Sequence, residues 1–367
     1  MRTRDGDRCP RSTLLRQRIA SALGVRPAAP ATVRTGRSWT RDGIDGIELS
    51  WAVDNGPETE ARIVRPTGRD DDLPAILLLH AHDGVKFYGK EKVSDGPEGV
   101  APGVEELRQR GYGGLCVATE LARAGFAVLV HDAYQWGSRR VEWSDLPERA
   151  RAAGMSAVPA ASSPDDLRRR YDAAAREHEH ALAKIAILTG TSLAALVAVD
   201  DLTALAVLRA APGVDARRIA AVGFSGGGAR AAHLLACSEP ADLQAAVITA
   251  SMSTFADIAD GHADGTSWSM ITPGLSAVCD WPDVAGCAAP VPLLVQYASH
   301  DPHFGHAGML ASEEALTSIY SGTGALTTTW YDEPHRFGAA MQKEAARWLT
   351  DRLVCGSLDS PCDSDHS

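Results

Sequence analysis

No apolar run in this chain approaches the roughly 20 residues that span a bilayer. The longest, Leu193 to Val199 and Leu205 to Val214, are cut short by polar residues or by Pro212, so no membrane partner is expected. Positive charge is also in deficit: 36 Lys and Arg stand against 47 Asp and Glu, a formal net charge of -11. A general nucleic-acid binder needs a basic surface to displace counterions from phosphates, and no nucleic-acid partner is expected here. Cysteine is sparse and odd in number, with seven residues (Cys9, Cys116, Cys237, Cys279, Cys287, Cys355 and Cys362) and no CxxC pair. That pattern points away from a disulfide framework and from a zinc site. In an exported protein Cys279 could pair with Cys287, or Cys355 with Cys362; free thiols in a reducing compartment are the favoured reading. The polar, Arg-rich segment Met1 to Pro10 is followed by no apolar run of seven or more residues. No secretory signal is therefore read, and a cytoplasmic location is expected.

What the chain does have is an ordinary globular composition, 45% hydrophobic and 23% charged, with its Gly and Pro dispersed. Its 367 residues allow one large α/β domain with decorations or two ordinary domains. Leu14 to Leu23 reads as a short amphipathic helix ending at Gly24, and Pro27 to Thr35 as a linker. Residues 1–45 are thus taken as an arm and linker that packs on the main body or on another subunit, which makes a homodimer through the arm a candidate. The main body, 46–355, opens with strands Gly46 to Val53 and Ala61 to Pro66 around the turn at Asn55-Gly56-Pro57, an antiparallel hairpin. Residues 356–367 form a polar tail expected to be disordered.

From Pro74 apolar, β-rich runs alternate with long helical segments, as in a mostly parallel sheet covered on both faces. The runs are 75–79, 126–130, 219–223, 245–248, 292–297 and 327–331. With the hairpin they predict an eight-stranded sheet. Helical spacing covers 165–187, 192–211, 229–236, 312–320 and 339–353.

Gly223-Phe224-Ser225-Gly226-Gly227 matches G-x-S-x-G, and it stands between a buried strand and a helix, as a nucleophile elbow requires. Glycines two positions either side of the serine are needed because side chains there would collide with neighbouring backbone. The turn lifts Ser225 above the sheet edge and puts the Gly226 N–H, at a helix N-terminus, beside a reacting carbonyl as half of an oxyanion hole. The bland alternative is a Gly/Ser-rich helix cap.

A serine hydroxyl needs a base within hydrogen-bond reach. In this fold the order is serine, acid, histidine. Asp301 follows the strand 292–297 and His335 follows the strand 327–331, both at carboxyl ends of strands, where ligands bind in open parallel sheets. His335 is read as the base and Asp301 as the group that fixes its tautomer. His300, His303, Asp332 and Glu333 are rivals, read instead as pocket-rim or loop-stabilising histidines and solvated loop carboxylates.

These motifs resemble the α/β-hydrolase superfamily, and more closely its acetyl-xylan-esterase-like and dienelactone-hydrolase-like bacterial members, over roughly Pro74 to Leu353. The resemblance also rests on Leu79-His80-Ala81-His82-Asp83-Gly84 with Gly89-Lys90-Glu91-Lys92, on the segment His131 to Arg140, and on Asp200 to Leu205. It implies an α/β-hydrolase fold and a second oxyanion N–H from the loop His80 to Gly84, at His82 or Asp83. Asp83 stands where similar proteins carry the first glycine of His-Gly-Gly, and a carboxylate there would repel an oxyanion unless it turned away. Pro334 stands before His335 where similar enzymes often have glycine, which restricts Glu333 to extended backbone.

Asp132 and Arg139 either shape the pocket or hold their loop through an internal ion pair; Lys90-Glu91-Lys92 reads as a solvated charged turn. Two long connections, 85–114 and 135–164, are placed to shape a pocket, with Trp136, Phe87, Tyr88 and Trp268 as candidate substrate-binding walls and Trp281 as a further aromatic candidate. Plain packing is the alternative for all five. His178 and His180, two apart on a helix, face different ways, so no metal site is read. Without a G-x-G-x-x-G fingerprint or P-loop, no cofactor is expected. The reading is a serine hydrolase cleaving a small or medium-sized carboxylic ester through an acyl-enzyme. An acyltransferase or cyclase of secondary metabolism using the same three residues is the alternative, and a catalytically inactive binding module stands behind it.

Overall fold

The structure, a computed structural model, describes residues 10–25, 31–53 and 56–354. The expected tail from Gly356, Cys9, Cys355 and Cys362, and part of the expected linker and hairpin turn lie outside the described residues. Among the described residues nine strands form one sheet: β1 (Arg34–Arg41), β2 (Ile44–Trp51), β3 (Thr59–Pro66), β4 (Leu73–Leu79), β5 (Ala127–His131), β6 (Val214–Phe224), β7 (Ala245–Thr249), β8 (Leu293–His300) and β9 (Leu326–Pro334). Their spatial order is β1-β2-β3-β5-β4-β6-β7-β8-β9. The first four neighbours pair antiparallel, and every pair from β5 to β9 is parallel.

The expected eight strands become nine because β1 lies in the stretch read as arm and linker. Almost every residue of β1 is exposed, so no apolar alternation marks it. Backbone pairing with β2, from Arg41 opposite Ile44 to Arg34 opposite Ser50, holds it in the sheet.

The central strands read as continuous apolar runs because both faces are covered. In β4, Leu73, Ala75, Leu77 and Leu79 pack into the core on one face, while Ile76 and Leu78 pack into the core on the other, the period of two expected of a strand. The covering helices used below are α1 (Pro10–Leu23), α2 (Val104–Gly111), α3 (Val117–Arg123), α4 (Glu148–Ala157), α5 (Pro164–Leu188), α6 (Leu193–Arg209) and α7 (Gly226–Cys237). A capping box starts α5: the Ser163 hydroxyl accepts from the Asp166 amide, and the Asp166 carboxylate accepts from that of Ser163. Ser192 caps α6 in the same way by accepting from Ala195. The N-terminal helix belongs to the main body: α1 buries Ile19 and Leu23 in the larger core against α7, and Arg16 donates to the carbonyls of Ala236 and Ser238. No single helix among the described residues is long and apolar enough to cross a membrane.

Candidate active site

Ser225 sits between β6 and α7 with φ 55° and ψ -123°, backbone that a non-glycine residue rarely adopts. The neighbouring glycines make that turn possible. A Cβ on Gly223 would stand 2.0 Å from the Gly227 carbonyl oxygen, and one on Gly227 would stand 2.1 Å from that of Leu79. Both obstacles are backbone, so neither can step aside. The Ser225 amide donates to Thr249 at the end of β7, and its side chain is left partly exposed at the carboxyl edge of the sheet.

The register of β8 against β9 sets the other two residues side by side. His300 pairs with Pro334, so Asp301 and His335 are the next residues of two parallel neighbours. His335 Nδ1 lies 2.5 Å from Asp301 Oδ2, and its Nε2 lies 2.8 Å from Ser225 Oγ. The other Asp301 oxygen accepts the His303 amide at 2.8 Å, and the carboxylate is fully shielded from solvent. A carboxylate only accepts, so Nδ1 carries the imidazole proton and Nε2 is free to accept from the serine hydroxyl. The rival carboxylates are turned elsewhere: Asp332 pairs with His300 at the exposed surface, and Glu333 pairs with Arg336. His303 is different, because its ring stands edge-on to that of His335 with centroids 4.5 Å apart. Burial and the adjacent His335 push its imidazole below the usual range.

The loop after β4 closes over the start of α7. A Cβ on Gly226 would meet the His82 amide nitrogen at 3.1 Å, which sets the His82 backbone nitrogen against Gly226. Asp83 takes the left-handed conformation, φ 55°, which glycine occupies without strain and aspartate tolerates better than most residues. Its carboxylate turns towards Tyr112, whose hydroxyl donates at 3.2 Å, and towards Lys92 Nζ at 3.7 Å. The His82 ring is held from both sides: Nδ1 accepts from the Gly84 amide, and Nε2 lies 3.2 Å from both oxygens of Glu179.

Glu179 was not legible as a site residue, nor was Lys86. Lys86 is buried, donates to Glu179 at 2.6 Å and to Gln135 at 3.0 Å, and lies over the Trp136 ring. Burial alone would raise the Glu179 carboxyl, but Lys86 and His82 hold it well below the usual carboxylate range. Burial lowers the ammonium of Lys86. A signal for Glu179 exists in the sequence, because it falls on the buried stripe of α5 with Ala175 and Ala183, at the i, i+4 spacing of one helix face. The run Arg176 to His180 is thus not wholly exposed polarity: His180 is exposed, His178 is half-buried and Glu179 is buried.

The expectation of a solvated turn at Lys90-Glu91-Lys92 is overturned. Lys90 is 4% exposed and Lys92 0%. Lys90 pairs with the buried Asp132 at 2.8 Å, while Arg139 pairs with Asp200, so Asp132 and Arg139 hold the loop after β5 through separate partners. Beneath it, Arg230 of α7 joins Asp201 at 2.6 Å and the His80 carbonyl at 3.1 Å.

Of the aromatic candidates, Trp136 lies at the site, lining a small hollow beside Gly226 with His82, Arg230 and Ser269. Trp268 packs near its rim, against His180 and the end of α5. Phe87 meets Tyr88 and Tyr171 edge-to-face; Phe87 belongs to a cluster beneath α4 and α5, while Tyr88 packs against one face of the main core. Trp281 is fully buried, with its Nε1 donating to the Ser251 carbonyl, and is core. Cys279 and Cys287 are free thiols.

No protein-family model matches the chain. In sequence it is 23% identical over 313 residues to "Putative hydrolase YtaP" of Bacillus subtilis, covering 84% of this chain and 88% of that one. In structure it is similar to the glucuronoyl esterase from Solibacter usitatus, with a TM-score of 0.65 at 13% identity over 94% of this chain and 92% of the other. It is also similar to methylesterase BT1017, with a TM-score of 0.57 at 16% identity over 93% of this chain; there it spans 63% of the larger protein. Acetyl xylan esterases share the likeness. The nine-stranded sheet, the elbow between β6 and α7, and these neighbours together give the chain the α/β-hydrolase fold.

Proposed function

We propose that the protein is a carboxylic-ester hydrolase working through an acyl-enzyme on Ser225. The observation that carries the reading is the hydrogen-bonded chain from Ser225 Oγ through His335 to the shielded Asp301 carboxylate, at 2.8 and 2.5 Å. Ser225 Oγ bonds to the ester carbonyl carbon as its proton passes to His335 Nε2, and Asp301 stabilises the imidazolium. The amides of Gly226 and His82 stabilise the tetrahedral oxyanion. Collapse expels the alkoxide, which takes the proton from His335; water, deprotonated by the same nitrogen, then releases the acid and restores the serine. The structural neighbours named as methylesterase, glucuronoyl esterase and acetyl xylan esterase support an ester over an amide. A small or medium-sized ester is the proposed substrate.

The test is intact-protein mass spectrometry after a fluorophosphonate probe. One adduct per chain is expected on the wild type, none on Ser225→Ala, and strongly slowed labelling on His335→Ala. A folded wild type that takes no adduct would overturn the reading.

A further inference from the structure

The segment that supplies the second oxyanion amide is tied at almost every polar atom. The His80 carbonyl accepts from Arg230 at 3.1 Å, and the Ala81 amide donates to the Tyr112 hydroxyl at 3.2 Å. The Ala81 carbonyl accepts from Lys92 Nζ at 2.8 Å and the His82 carbonyl from the same nitrogen at 3.0 Å. Trp136 Nε1 approaches the His82 carbonyl at 3.4 Å, and the Gly84 amide donates to the His82 ring. The amides of His82 and Asp83 find no acceptor among the described residues.

The Val85 amide also donates to the His82 carbonyl at 3.2 Å, and His80 Nδ1 lies 3.1 Å from that of Ala81, but among the described residues Lys92 alone holds both carbonyls and so fixes the two peptides together. In a planar trans peptide the C=O and the following N–H face opposite ways. One ammonium gripping the carbonyls of Ala81 and His82 from behind therefore turns the N–H groups of His82 and Asp83 to the other side, and that of His82 stands beside Gly226. We infer that Lys92, backed by Tyr112, is a positioning residue that orients the oxyanion hole while touching no reacting atom. The inference rests on the proposed acyl-enzyme chemistry at Ser225.

The cost of putting a lysine there is consistent with such a role. Its ammonium is 0% exposed, and burial lowers it to about 8 against the raising effect of Asp83. A chain seeking only stability could place an apolar side chain in that space. The geometry also accounts for Asp83. Its carboxylate is the counter-charge for the same ammonium, 3.7 Å away.

The experiment compares wild type, Lys92→Met and Tyr112→Phe in hydrolysis of a p-nitrophenyl ester, and in inhibition by an aryl trifluoromethyl ketone. That ketone adds Ser225 to form a tetrahedral oxyanion. Folding is checked by thermal melting. Displacing a donor from a preorganised hole costs roughly 10²-fold in rate. Lys92→Met should lose about that factor in kcat with KM within about threefold, and ketone affinity should fall in parallel. Tyr112→Phe, which loses a tie to the same loop but no charge, should lose about tenfold in kcat at constant KM. It keeps the test decisive if Lys92→Met does not fold. Wild-type kcat in either folded variant, or a loss confined to KM, would overturn the inference. If wild type takes no fluorophosphonate adduct, the hydrolase reading fails before the variants are compared.

Discussion

Replacing Asp301 by asparagine should disable the base without moving it. The two oxygens of Asp301 face different partners: Oδ1 accepts the His303 amide at 2.8 Å, and Oδ2 lies 2.5 Å from His335 Nδ1. An asparagine must keep its oxygen towards the His303 N–H, because turning its NH2 that way would set donor against donor. Its NH2 then faces His335 Nδ1, which can meet it only as an acceptor. The imidazole proton moves to Nε2, and Nε2, 2.8 Å from Ser225 Oγ, becomes a donor to the group whose proton it should take. The same tautomer error in a serine protease costs about 10⁴-fold in kcat, or about 5 kcal/mol of barrier. Steady-state hydrolysis of a p-nitrophenyl ester by Asp301→Asn should therefore fall by about three to four orders of magnitude, with KM little changed and the melting temperature within a few degrees of wild type. A folded Asp301→Asn protein with kcat within tenfold of wild type would refute the argument that Asp301 sets the tautomer.

Gly227→Ala should prevent the elbow from closing, since its Cβ meets the Leu79 carbonyl oxygen at 2.1 Å; loss of soluble folded protein, or of fluorophosphonate labelling in what remains, is the expected readout. Ile19→Ala should cost about 2–4 kcal/mol in urea unfolding because Ile19 is fully buried in the main core, while kcat stays unchanged; a cost near zero would show that α1 is not packed on the body. The Glu179 carboxyl is held below its ordinary value by Lys86 and His82. Its contribution to stability is present above the unfolded-state value of about 4.3 and is lost as pH falls towards the depressed folded-state one. Acid unfolding monitored by circular dichroism should therefore begin at higher pH in Glu179→Gln, and that variant should also be destabilised at neutral pH by about 3 kcal/mol or more through the unpaired Lys86.

The parts of this molecule legible in its sequence are those whose cause is local. The strand Leu73–Leu79 announces itself by seven buried residues in a row, and the elbow by glycines whose neighbours are backbone. Asp301 and His335 could be placed because chain order and strand ends constrain them. The strand β1 is hidden because all but Trp39 of its residues are exposed and its backbone pairs with β2 alone. The Lys90 to Lys92 turn misled for the same reason in reverse. Three charges in a row look like a surface, but Lys90 is met by Asp132 as well as by its neighbour Glu91, and Lys92 by the loop after β4. Burial of a charge is decided by partners that local spacing does not reveal.

An edge strand with free amides and carbonyls invites another strand to add to it. Three of the eight residues of β1 are arginines, and each is committed nearby. Arg34 bonds to Glu58, Arg37 to Glu48 and Glu98, and Arg41 to the carbonyls of Gly96 and Pro97. A second chain aligning along this border would have to bring its own strand past these exposed guanidinium groups and their partners. The first, poorly marked strand, which forms one edge of the sheet, is thus a border that another strand cannot readily extend.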